Sequence, residues 1–71
     1  MSFPNPIEDK LVISIPVDAK LESNVDIYNL VGNRVVSTPL TEIETGHLVQ
    51  GTYLVTAVIN GVRVTQKMTK L

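Results

Sequence analysis

A single histidine, His47, is the one side chain in this sequence that could act as a general base near neutral pH. Nucleophilic catalysis would also need a hydroxyl and an orienting carboxylate. Ser14, Ser23 or Ser37 with Asp9, Asp18 or Asp26 supply those types. None of the serines lies in a Gly-x-Ser-x-Gly turn, the context that lifts a nucleophile clear of a sheet, so nothing selects one of them. His47 stands between Gly46 and Leu48, which reads as a half-exposed turn position.

Paired carboxylates are the other chemical candidates. Glu8 and Asp9 are adjacent, and Glu42 and Glu44 would point to the same side of a strand. Such a pair could contribute to a calcium site or to glycoside hydrolysis. Calcium asks for roughly six to eight oxygens, and no further acidic residue completes a cage around either pair. Neither pair adjoins an aromatic ring on which a sugar could stack. There is no cysteine for a thiolate metal site, no glycine-rich phosphate loop and no glycosylation triplet. Both pairs read as solvated charge. The expectation is a non-enzymatic domain with no metal and no cofactor.

Composition narrows the partners. Six basic and seven acidic residues leave a formal net charge of −1, so there is no electrostatic footprint for nucleic acid or for an anionic membrane surface. An aromatic content of 4% removes the stacking platform that single-stranded nucleic acid or carbohydrate needs, and no small-molecule substrate is implied. Uninterrupted apolar runs are only a few residues long, far short of the roughly 20 that span a bilayer. Met1 is followed at once by Ser2, Phe3 and Pro4, so no secretory leader is expected in these residues.

The elements that must position any surface are β-strands. Val, Ile and Thr make up 24 of the 71 residues, and so many β-branched side chains favour pleated strands over helices. In "DKLVISI" Leu11, Ile13 and Ile15 share a face opposite Val12 and Ser14; in "NVDIYNL" Val25 and Ile27 oppose Asp26 and Tyr28. "TYLVTAVI" sets Tyr53, Val55, Ala57 and Ile59 on one apolar face, and "VRVTQKMTK" alternates Val62, Val64, Gln66 and Met68 against Arg63, Thr65, Lys67 and Thr69. Asn60-Gly61 between the last two runs tolerates the positive φ of a type I′ hairpin. "VGNR" reads as a second tight turn, Pro16 ends the first strand, and "HLVQ" turns between Gly46 and Gly51. A short strand is expected at residues 42–45. The competing helix there, with Thr38 as N-cap, Pro39 first and Gly46 as stop, is weakened by its three threonines.

One domain of 71 residues buries only about 60% of the surface its unfolded chain exposes. Without disulfides, its stability must come from apolar burial. Six or seven short strands indicate an all-β fold, a small antiparallel sandwich or barrel.

Three stretches, in order, carry a resemblance. "FPNPIEDKLVIS" opens with Pro4, Asn5 and Pro6 before a Leu-x-Ile strand. "VDIYNLVGNRV" holds Gly32 in its turn. "IETGHLVQGTYLVTAVINGVRVTQKMTKL" contains Gly51, Tyr53 and Val55, the Asn60-Gly61 hairpin and a closing strand with lysines. Together they resemble the type A C-terminal sorting domain of the type IX secretion system of Bacteroidota, with its Tyr/Phe-Pro-Asn-Pro opening, "IYNLLG" signature and Leu-x-x-Gly-x-Tyr-x-Val strand. Val49-Gln50 and Met68 depart from the usual residues of that pattern.

The resemblance implies an Ig-like β-sandwich over residues 1–71, with Met1 and Ser2 as a start added to an excised domain. It implies a covalently linked N-terminal cargo that is directed through the periplasm and across the outer membrane to the medium or the cell surface. The implied partners are the type IX translocon and a sortase-like component that removes the domain or exchanges it for a surface anchor. Recognition residues should be exposed and near the end of the chain: Lys67, Lys70 and Leu71 are the candidates, with Gly51 and Tyr53 shaping the sheet beneath them. The competing reading is an Ig- or fibronectin-like adhesion or spacer module, which would occur inside a chain rather than at its end. Asn5 is expected to bond nearby backbone and close the proline hook.

Overall fold

The alternating runs become six strands in the computed structural model, which describes residues 1–71. They are β1 (Lys10–Val12), β2 (Val25–Asn29), β3 (Arg34–Thr38), β4 (Glu42–Glu44), β5 (Gly51–Ile59) and β6 (Val62–Lys70). No helix forms at residues 38–46, where Pro39 and the threonines lead instead into β4. β1 pairs antiparallel with β4, and the other four make an antiparallel sheet in the order β3-β2-β5-β6. The fold is a small all-β sandwich.

β5 occupies the centre because its side chains satisfy both requirements of a middle strand. Tyr53, Val55, Ala57 and Ile59 are all buried, while Thr52, Leu54, Thr56 and Val58 on the opposite face are half-buried. β2 contributes Val25 and Ile27, and β6 contributes Met68, all fully buried. Leu11, Ile13 and Ile43 close the core from the two-stranded side, and Ile7 from the N-terminal segment. Leu11, Ile13, Val25, Ile27, Met68 and the four buried residues of β5 lie on the faces that their alternation predicts.

Asn60 and Gly61 take φ of 52° and 78°, which matches the two-residue type I′ loop between Ile59 and Val62. The Asn60 side chain does more than permit the turn. Its Oδ1 accepts the Lys20 N–H at 2.9 Å, and the Asn60 backbone N–H donates to the Lys20 carbonyl at 2.9 Å. Residues 20–23 thereby run beside the end of β5, where Ser23 Oγ accepts the Val58 N–H. The β2–β3 turn is held by Asn29, whose Oδ1 accepts the N–H groups of Val31 and Asn33.

Two details differ from the sequence reading. β1 is shorter than "DKLVISI": Ile13 still donates to Thr41 in the register of the β1–β4 pair, but Ser14 turns away and exchanges two hydrogen bonds with Ser2. β3 carries an irregularity: Ile27 is opposite Val36 but Tyr28 is opposite Arg34, which leaves Val35 as an extra, exposed residue.

Removing core methylenes should be costly in so small a domain. Ile27→Ala and Ile59→Ala should each lower unfolding free energy by about 2–4 kcal/mol. Denaturant melts followed by circular dichroism measure this, and midpoints equal to wild type would show the core face to be misassigned.

Candidate functional site

Nothing gathers around the residues that chemistry would require. His47 is exposed in its turn, and Ser14, Ser23 and Ser37 are exposed on separate segments. Ser37 Oγ accepts from Asn24, and Ser23 is engaged with Asn24 and Val58, so both hydroxyls serve local structure. Asp26 lies on the outer face of β2, with one oxygen shielded from solvent and unpartnered. No group of three or more His, Asp or Glu side chains assembles, and no pocket indents the surface. Glu42 is instead taken by Lys10 across the β1–β4 pair at 2.6 Å. The hydrogen bond and charge of Lys10 hold the Glu42 carboxyl below its usual range, and Glu42 holds the Lys10 ammonium above its own. Any stability from the pair is lost as pH falls through the lowered Glu42 range or rises through the raised Lys10 range, and solvent exposure keeps it small.

The structured candidate lies where the two ends of the chain meet. Asn5 Oδ1 accepts the Thr69 N–H at 2.9 Å, the Ile7 N–H donates to the Thr69 carbonyl at 2.9 Å, and the Leu71 N–H donates to the Ile7 carbonyl at 2.8 Å. Ile7 and Lys70 form a parallel bridge. Asn5 therefore does not bond nearby backbone, as its turn-forming chemistry suggests; it reaches a partner 64 residues away. The Asn5–Pro6 peptide is cis, and Pro4 and Pro6 flank this contact as exposed residues. The hook is a short strap along the end of β6.

Behind the strap, Thr45 ties in β4. It is fully buried, its Oγ1 donates to the Glu8 carbonyl, and its N–H donates to the Asp9 carbonyl. The expected strand at 42–45 sets Thr45 on the face of Ile43, but no local signal names its polar partners, which come from a segment remote along the chain.

The recognition candidates divide. Lys67 is exposed on the outer side of β6, and Leu71 is about half exposed. Lys70 is not exposed: only 6% of its surface reaches solvent. It follows the parity of Met68 onto the core side, and its Nζ donates to the Leu71 backbone oxygen at 2.7 Å. The expectation of an exposed Lys70 is therefore corrected. A buried ammonium is tolerable there because a backbone oxygen is in reach. Tyr53 is a core aromatic whose hydroxyl donates to the Val49 carbonyl, and Val55 is wholly buried, so both shape the sheet from within. Gly51, at φ +155°, starts β5 in a conformation that side chains resist, and Gly32, at φ +91°, completes the β2–β3 turn.

Two sheets closing over one apolar core, with both chain ends drawn to the same strand, define a small Ig-like β-sandwich domain. Residues 1–70 match the family model of the secretion system C-terminal sorting domain, and the chain belongs to that family, the sorting domains of type IX secretion. No curated protein matches the chain. No solved structure matches it either. The family is non-catalytic, and membership implies an N-terminal cargo and a secretion machinery.

The two lysines should respond in opposite ways. Lys67→Glu should leave the melting temperature near that of wild type. Lys70→Glu should cost about 1.5–3 kcal/mol, since a charged hydrogen bond is lost from a buried site. Thermal melts of the two single variants test this, and equal melting would place the Lys70 ammonium in solvent. Asn5→Ala should speed amide exchange at Thr69 relative to Val55 while lowering global stability by only about 1 kcal/mol.

Proposed function

We propose that this domain is a folded export address, engaged by the type IX translocon at the outer membrane after its cargo has reached the periplasm. A sortase-like component then cuts the domain away, or exchanges it for a surface anchor, leaving the cargo secreted or held at the cell surface. The family match over residues 1–70 carries this reading. The strap supports it physically. The segment through which a cargo would be joined, residues 5–7, is bonded to the last residues of β6. Junction and address thus belong to one small region of the sandwich.

Within that region Lys67 and Leu71 are proposed as contact residues, because their side chains reach solvent beside the strap. Lys70 is proposed as a support that holds the terminal segment in place. The family-pattern residues Pro4, Asn5, Pro6, Gly32, Gly51, Tyr53, Val55, Asn60 and Gly61 then act through the fold they maintain.

Residues 1–71, fused behind a reporter that carries a Sec signal and expressed in a host with the machinery, should carry the reporter outside the cell. A reporter retained in the periplasm would overturn the proposal.

A further inference from the structure

β6 is an edge strand, and the N-terminal strap covers only its last residues. In an antiparallel ladder the N–H and C=O groups of alternate residues face opposite sides. Thr69 and Leu71 turn theirs toward the strap, so Arg63, Thr65 and Lys67 present theirs on the same outer side, away from β5. No hydrogen bond reaches these three residues from that side. Their side chains are exposed as well, and the one ion pair of the molecule, Lys10–Glu42, involves neither Arg63 nor Lys67. The result is an open stretch of sheet edge, about 13 Å long at 3.3 Å per residue, with an unpaired cation at each end.

The opposite edge of the sheet is built differently. β3 carries the extra residue Val35, which breaks its register, and such an irregularity turns an edge away from further pairing. A second copy of the chain also fits β6 poorly. The antiparallel register that pairs all three open residues is centred on Thr65, and it would set Arg63 of one copy against Lys67 of the other. Like charges directly opposite repel. An extended segment with acidic side chains at those positions pairs instead.

We infer that Arg63, Thr65 and Lys67 form a strand-addition site, where the export machinery adds an extended segment bearing acidic residues four positions apart. This rests on the sorting-signal reading above and names the part of the domain that is read. The backbone of β6 supplies the hydrogen bonds, the two cations set the register, and the strap at residues 5–7 fixes where the added strand must stop.

The test uses the full 71-residue chain fused behind the same reporter. Thr65→Pro removes a donor from the open edge but no internal hydrogen bond, because that N–H faces away from β5. Arg63→Glu with Lys67→Glu reverses both cations, and Arg63→Lys with Lys67→Arg keeps them. Each variant is checked for folding by circular dichroism. Export should fall by about tenfold or more for the proline and charge-reversed variants, and should match wild type for the charge-keeping one. A folded charge-reversed variant exported normally overturns the inference, and it decides the matter alone if the proline variant does not fold. A folded proline variant exported normally also overturns it, because side chains alone would then make the contact. Periplasmic retention of the unmutated fusion would instead bring down the sorting reading and this inference with it.

Discussion

Apolar burial along β5 is the constraint on which the rest of the molecule depends. With no disulfide, the two sheets are held by this packing and by the few hydrogen bonds of the strap at residues 5–7. Tyr53, Val55, Ala57 and Ile59 present one continuous buried face, and β2, β6 and the two-stranded sheet are placed by packing against it. The same strand bonds to β2 on one side and β6 on the other, so its backbone groups are satisfied by sheet rather than solvent. A chain this short has few alternatives, since its buried fraction is limited by size.

From β5 outward the structure becomes progressively more dependent on polar contacts. The strap along β6 is held by two backbone hydrogen bonds and the Asn5 side chain, and the link from β4 to residues 8–9 relies on buried Thr45. These bonds fix the positions of segments with little apolar surface of their own. They also place Lys70, whose ammonium stays beneath the surface because the last residue turns a backbone oxygen toward it. In a family whose members act as secretion signals, the part built on polar contacts is the part where the cargo side and the terminal strand meet.

Local signals made the β-structure readable. Strict alternation gave the buried faces of β2 and β5 and the inward side of Met68 in β6, and Asn60-Gly61 gave the hairpin, because both follow from neighbouring residues alone. The register break at Val35 was not readable, since no glycine or turn residue marks it. Nor was the partner of Asn5, which lies at the far end of the chain, or the partners of Thr45 at residues 8 and 9. Lys70 is instructive. Its parity with Met68 pointed inward while its charge pointed outward, and the competition was decided by an oxygen that only the folded terminus supplies. The exposed positions of Lys67 and Arg63 followed directly from alternation.

The parallel arrangement of residue 7 beside residue 70 also has a mechanical meaning. Tension applied between an N-terminal attachment and the C-terminal end would pull these neighbouring segments in opposite directions along their common axis. The hydrogen bonds from Asn5 and Ile7 to Thr69 and Leu71 lie across that axis, so the load falls on them together, in shear, instead of peeling them one at a time. A domain loaded between those two ends resists as a latch does, by sharing force among bonds that must break at once.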